Sequence, residues 1–281
     1  QVHYQFPFAE AVDSYHAALW ASMAMLAVAA NSPLVLQKRG WQESRITIFK
    51  QAVYTRSRQE IQHRLIPRVH LSKGYIQSWL ELFEDNSYYS PVLPEVIDTA
   101  VDELHHFNLH NGTIWRWVRP ILGVDGGQHY HLRLELRVVP AGPTQQDTLA
   151  NMVFYIGLIE GLKLDPQLLT QVPYSVLEQD FYQAAREGLS ARVHWCDGKQ
   201  HDMRTLVLEK LLAQAALGLQ RTGIDNPQPW LDIIRQRVQS GRTGAQWITD
   251  FWQKYHDEQS LVLAYLDNAQ HNIPVHLWPE P

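Results

Sequence analysis

Arg133, Glu135 and Arg137 alternate with Leu132, Leu134 and Leu136 in the run from His129 to Pro143. In a β-strand, alternate residues share a face. Two guanidinium groups and one carboxylate therefore point one way, and three leucines point the other way into a core. Such a face suits a site that holds a metal through the carboxylate and anionic oxygens through the arginines. The plainer reading is a solvated face on an edge strand. The preceding segment, Thr113 to Pro120, adds Arg116 and Arg119. Arginines this dense on adjacent strands repel one another unless an anion neutralises them. A polyphosphate or a substrate carboxylate is the natural counter-charge. The odd spacing of Arg116 and Arg119 puts them on opposite faces of a regular strand, so only one joins the cluster. Arg119, beside Pro120, is the expected member.

Other chemistry-bearing residues carry weaker signals. His3 sits in a strand-like run between apolar residues, where a core histidine competes with a metal ligand. Arg45 is either a helix-surface residue or a further cation at the site. His106 and His110 have the i, i+4 spacing of a helical zinc pair, but the helix they would share is expected to end near Phe107 and no HExxH pattern is present. His129 and His131 read as turn residues flanking the key strand. Cys196 lies in a turn, His194 to Gly198, which gives little support to a nucleophile.

The elements that must position these residues follow from pattern. Residues 2–8 alternate as a strand, with Tyr4, Phe6 and Phe8 expected in the core. Glu10 to Ala30 is a long apolar helix stopped at Asn31-Ser32-Pro33. A loop over 34–44 leads to a basic element from Glu43 to Arg56. Helices are expected over Tyr75–Phe83 and Pro94–Phe107. Asn111–Leu122 and Tyr130–Val139 read as a hairpin turned by Gly123 to Gly127. Thr144 N-caps a helix over Gln145–Leu162, with Asp147 three residues on. From Pro173 onward the pattern is almost wholly helical, at about 174–188, 202–221, 226–238, 244–254 and 257–269. The expected class is α+β: an antiparallel sheet packed with helices, then a helical C-terminal half. Residues 1–163 would carry the catalytic sheet, and 164–281 a helical region packed on the same domain.

The totals narrow the function. The 281 residues are 45% apolar, enough for a sizeable core, and the net charge is −5, which argues against nucleic-acid binding. One cysteine precludes an intrachain disulfide and fits a reducing cytosol. The longest apolar run, Ala17 to Ala30, is too short to span a bilayer. Together these lead us to expect a cytoplasmic protein with no membrane partner.

The segments Gln1–Phe6, Ala29–Pro33, Glu43–Phe49, Leu109–Pro120 and His131–Thr144, with Ala150 and Asn151, occur in this order. As an ordered set they resemble glutamate–cysteine ligase family 2, carboxylate–amine ligases of the glutamine synthetase-like superfamily. The resemblance covers most of residues 1–163 and is looser after 175. It implies an antiparallel sheet of the glutamine synthetase and glutamate–cysteine ligase type. It also implies ATP and Mg2+, or Mn2+, as cofactors, amino acids as substrates, and amide formation through an acyl phosphate, as in glutathione biosynthesis. His3 and Glu135 would then be metal ligands. Arg133 and Arg137 would contact phosphate and substrate carboxylate, with Glu135 the third member of the catalytic set. Arg119 and Arg45 would be further substrate or nucleotide contacts. The superfamily's habit of assembling points to a homo-oligomer.

One departure matters. The family's first strand carries a pair of metal-binding glutamates that has no counterpart here, and its His-x-His is Gln1-Val2-His3. The expectation is therefore a chain that lacks an N-terminal portion and is inactive alone. The rival readings are a degenerate ligase fold that binds nucleotide or amino acid without turnover, and an interaction module using Trp230, Trp247, Trp252 and Trp278.

Overall fold

Alternation at the start of the chain makes β1 (Val2–Phe6), with Val2, Tyr4 and Phe6 buried and His3 and Gln5 facing out. His3 is thus not a core histidine. Pro7 ends the alternation in a short 3-10 turn, so Phe8 is exposed rather than buried. A computed structural model describes residues 1–93, 95–126 and 129–281. Helix α1 (Ala11–Ala29) is apolar nearly all round and is buried along almost its whole length, as expected of a helix packed on every side. The 34–44 loop holds a small hairpin, β2 (Leu34–Val35) with β3 (Lys38–Arg39), and α2 (Arg45–Ala52) follows.

The next stretch departs most from pattern. After α3 (Arg58–Gln62), the expected helix over Tyr75–Phe83 shortens to α4 (Leu80–Glu84). The reason is local. Glu81 Oε1 accepts from the backbone N–H groups of Gln77 and Ser78 at 2.9 and 2.8 Å, and Ile76 N–H donates to the buried His16 ring. The helix expected over Pro94–Phe107 is absent from its described part up to Ala100, and Pro94 lies outside the described residues. A 3-10 turn, Val101–Glu103, and a left-handed Leu104 precede α5 (His105–Gly112) instead. Ile97 N–H donates to the His106 ring, and His105 contacts Thr99, so the segment folds back against its own helix.

Because α5 runs to Gly112, the first hairpin strand starts late. It is β4 (Val118–Asp125), paired antiparallel with β5 (His129–Leu136). The expected turn at Gly123 therefore lies inside the strand, and Gly127 lies outside the described residues. Strand β1 pairs along the other edge of β5, giving a three-stranded sheet in the order β1-β5-β4. Leu132, Leu134 and Leu136 all enter the core.

Helix α6 (Gln145–Leu162) begins at Thr144, whose hydroxyl accepts from Asp147 N–H at 3.1 Å. Helix α7 (Tyr174–Glu187) leads to a hairpin of β6 (Arg192–His194) and β7 (Gln200–Asp202), too short for a sequence pattern to announce. Next come α8 (Met203–Leu206), a π-helical turn (Val207–Leu211) and α9 (Leu212–Arg221). Last are α10 (Gln228–Ser240), α11 (Gly244–Tyr255) and α12 (Glu258–Gln270). Helices α6 and α9 cross where a Cβ on Gly218 would strike the Gly157 carbonyl and Gly161 nitrogen, so only glycine permits this approach.

One core unites β1, α1 and the sheet with α6 through α10. A second, smaller core forms around Trp247, Phe251 and Trp278, with the rings of Trp247 and Trp278 5.1 Å apart. Those two tryptophans are buried within this second core.

The buried His16 makes stability pH-dependent. Burial holds its pKa at about 4 against 6.5 for an exposed histidine. The unfolded chain takes up the proton first, so the contribution is complete above pH 6.5 and is lost as pH falls toward 4. The gap corresponds to about 3 kcal/mol. The midpoint of thermal unfolding should fall steeply across that window, and His16→Gln should flatten the fall. A parallel profile in the variant would remove His16 as the cause.

Candidate functional site

The sheet face opposite the core is polar, and the strand register lines it up in rows. His3, Glu135 and Arg119 are Cα partners across β1, β5 and β4. Gln5, Arg133 and Ile121 form the next row, and His131 pairs with Gly123 beyond it. Arg137 continues β5 just past its last paired residue, its N–H donating to Trp117 O at 2.9 Å.

Glu135 is the centre of the first row. Its carboxylate is only 2% exposed and sits between two arginines, Arg137 Nη1 at 3.0 Å on Oε1 and Arg119 Nη2 on Oε2. Arg119 also donates to Gly112 O at 3.2 Å, which ties the cluster to the end of α5. Arg137 lies over the Phe49 ring at 5.6 Å. Burial lowers the Arg137 pKa and Glu135 opposes the shift, but a guanidinium stays charged in any case. Burial also lowers the His3 pKa, with Glu135 raising it and Arg133 and Arg119 lowering it. This favours the neutral imidazole.

Arg133 differs from its neighbours. Its recorded contact is His131 Nε2, 3.3 Å from Nη1, and no carboxylate of the described residues is within ion-pair distance. The Nε atoms of Arg119, Arg133 and Arg137 are all buried without a hydrogen-bond partner. Buried donors in that state call for a partner. A cavity of about 380 Å³ opens beside Arg119 and Arg133 and is also lined by Glu103, Asp125 and His131.

Arg45 stands apart. Its Nε donates to the fully buried Glu43 at 3.0 Å, and its terminal nitrogens donate to the carbonyls of Arg137 and Val138. Glu43 in turn accepts from Asn31 N–H and the Ser32 hydroxyl, each at 2.9 Å. Arg45 therefore braces the strand end that carries Arg137 and has its donors committed. Arg116 also leaves the cluster. It precedes β4 and is buried against Asn86, to which it donates at 2.7 Å. His106 and His110 share α5, but their rings bond separately to Ile97 N–H and Asn86 O. Cys196 is buried, and burial pushes its thiol up to about 12.

Period-2 spacing places His131 with Arg133 and Glu135 on one face. Taking His131 as a turn residue flanking the strand misses this. Its ring lies across Gly123, where a Cβ would collide with the imidazole. No sequence signal announced Glu103 or Asp125 as neighbours.

The fit to a magnesium ion can be judged from these donors. Mg2+ demands an octahedral oxygen shell. Each oxygen of Glu135 already faces a guanidinium, and His3 is the remaining donor in its row. No group of three or more His, Cys, Asp or Glu poised around one point occurs among the described residues. They do not make a magnesium shell by themselves. No helix among the described residues is long and apolar enough to cross a membrane.

A comparison with curated proteins finds no match. The model of glutamate-cysteine ligase family 2 matches residues 1–265, which include the whole polar sheet face and its cavity, and the chain belongs to that family.

Proposed function

We propose that this chain carries the anion-handling face of an ATP-dependent carboxylate–amine ligase of the glutamate–cysteine ligase kind. Membership of the family supports carbon–nitrogen ligation in general. The observation that carries the finer reading is Arg133, a guanidinium lining a cavity with no acidic ion-pair partner among the described residues. Phosphoryl transfer from ATP to a carboxylate concentrates negative charge, and fixed cations around that charge lower the barrier. Arg133 would meet the transferring phosphoryl group. Arg137, held by Glu135, would bind the substrate carboxylate. Attack by an amine on the acyl phosphate then forms the amide and releases phosphate. His3 would stand at the edge of this site as a neutral imidazole. Amino acids are the proposed substrates, and the cytoplasm and a homo-oligomer the proposed setting.

A second reading rests on Glu135. Both its oxygens are engaged by arginines, so the cluster can bind an anion firmly without assembling the metal that turnover requires. Calorimetric titration with magnesium–ATP, followed by an ADP-release assay with L-glutamate and an amine, separates the two. Binding with amine-dependent ADP release supports the ligase. Binding without release leaves an anion-binding fold. Absence of binding ends both readings.

A further inference from the structure

A second cavity, of about 390 Å³, shares no residue with the one beside Arg133 and lies between the β2–β3 hairpin and helices α11 and α12. That volume is in the ordinary range of a small-molecule site. Leu34 and Leu36 from the hairpin, Ile248 and Trp252 from α11, and Val262 and Leu266 from α12 line it. Leu36 is 91% exposed, an unusual place for a leucine unless its side chain has a use. The backbone there is also unusual. Leu36 and Gln37 both have positive φ, 47° and 66°, where Asn-Gly would turn a two-residue hairpin with less strain. Both side chains line the cavity, and Gln37 Nε2 donates to Glu258 Oε2 at 2.9 Å, which ties the hairpin tip to α12.

The polar groups of this cavity divide in two. Asn31 and Tyr265, both half-buried, bond each other, with Asn31 Nδ2 2.9 Å from the phenol oxygen and 3.1 Å from Ala141 O. Their bonding is met within the protein. Glu258 is exposed, and its recorded contact is the neutral Gln37. An adjoining cavity shares Gln37, Trp252, Glu258 and Val262 and adds Asp257 and His256. Among the described residues, no lysine or arginine lines either cavity. The walls are thus apolar, and the fixed charge at the solvent side is negative.

We propose that this cavity binds a small primary amine with an apolar tail. The tail packs among Leu34, Ile248 and Leu266, and the ammonium group bonds Glu258 beside the indole of Trp252. A carboxylate and an aromatic ring together favour a cation, while an anionic ligand would meet like charge. The strained tip at Leu36 and Gln37 then has a reason, because those two side chains complete the wall and orient the carboxylate. This site stands independently of the ligase reading.

The test is a ligand-observed NMR titration of the full chain with phenethylamine, phenethyl alcohol and phenylpropionate, which share a phenyl tail and differ in charge. The amine should saturate, the alcohol should bind about 10-fold more weakly, and the carboxylate should not saturate. Glu258→Gln should weaken the amine about 5-fold, the upper range for an exposed ion pair, and leave the alcohol unchanged. Val262→Trp fills the cavity from a position that is 51% exposed. It should abolish binding of both compounds while the circular dichroism melting curve stays that of the wild type. Equal affinity for all three compounds would overturn the ligand class. Amine binding that survives Val262→Trp would overturn the location, and absence of saturable binding in the wild type would overturn the whole proposal. Sedimentation equilibrium on the same proteins checks the remaining occupant. A wild-type dimer that Val262→Trp dissociates would give the groove to a second copy of the chain and overturn the amine site.

Discussion

Arg133→Ala should lower kcat for ADP release by about 10²–10³-fold. The physical reason is the vacancy in its bonding. Arg119 and Arg137 already share Glu135, so each has a carboxylate contact before any substrate arrives. Arg133 has a 3.3 Å contact to an imidazole and a buried Nε with no partner. Its donors are thus free to gain bonds as charge develops on a transferring phosphoryl group, and an interaction made chiefly in the transition state appears in kcat. Arg137→Ala should instead chiefly raise KM, because a cation that binds a carboxylate equally before and during reaction adds uniform binding. Arg133→Lys should recover part of the loss, since a point charge remains but the planar fork does not. Steady-state kinetics on the three variants decides this. An unchanged kcat in Arg133→Ala would refute the assignment.

Arg237→Ala should destabilise the fold by about 3–5 kcal/mol without touching the sheet face. Arg237 is 1% exposed and pairs with Asp147, itself fully buried, at 2.7 Å. It also donates to Asn151 Oδ1 at 2.6 Å and to the Val28 carbonyl at 3.1 Å. Asp147 accepts from Val275 N–H at 3.0 Å, so the pair ties α1, α6 and α10 to the C-terminal segment. Removing the guanidinium leaves a carboxylate in the core with no countercharge, and that desolvated charge is what costs stability. Thermal unfolding should shift down by about 10 °C for a chain of this size. Replacing both partners with apolar residues, Asp147→Leu with Arg237→Met, should restore most of the loss, because no orphaned charge remains. A single variant that costs under about 1 kcal/mol would show that water reaches the site and screens it.

The sequence was most legible where one local rule acted alone. Period-2 alternation put Leu132, Leu134 and Leu136 in the core and Arg133, Glu135 and Arg137 on the other face, and the structure agrees. The cap at Thr144 and the apolar period placed α6 at Gln145–Leu162 without error. The C-terminal helices fell within a residue or two for the same reason. Legibility failed between about 75 and 117. There, side chains such as Glu81, His16 and His106 hydrogen-bond backbone N–H groups ahead of the helices and hold that backbone in a non-helical path. Such competition depends on which residue lies nearby in space, and no periodicity records it.

The same division governs the site. The sequence by itself determined which residues carry charge, which strand face they occupy and, through the ordered motifs, the family. Only the tertiary structure decided how those charges are spent. It closed Glu135 between Arg119 and Arg137, committed Arg45 to Glu43 and two carbonyls, sent Arg116 to Asn86, and left Arg133 open to a cavity beside His131. Face and period arise from the chain's own geometry over a few residues. The partner of an arginine is set by distances of a few ångströms between residues far apart in the chain, and those exist only once the sheet and helices have packed.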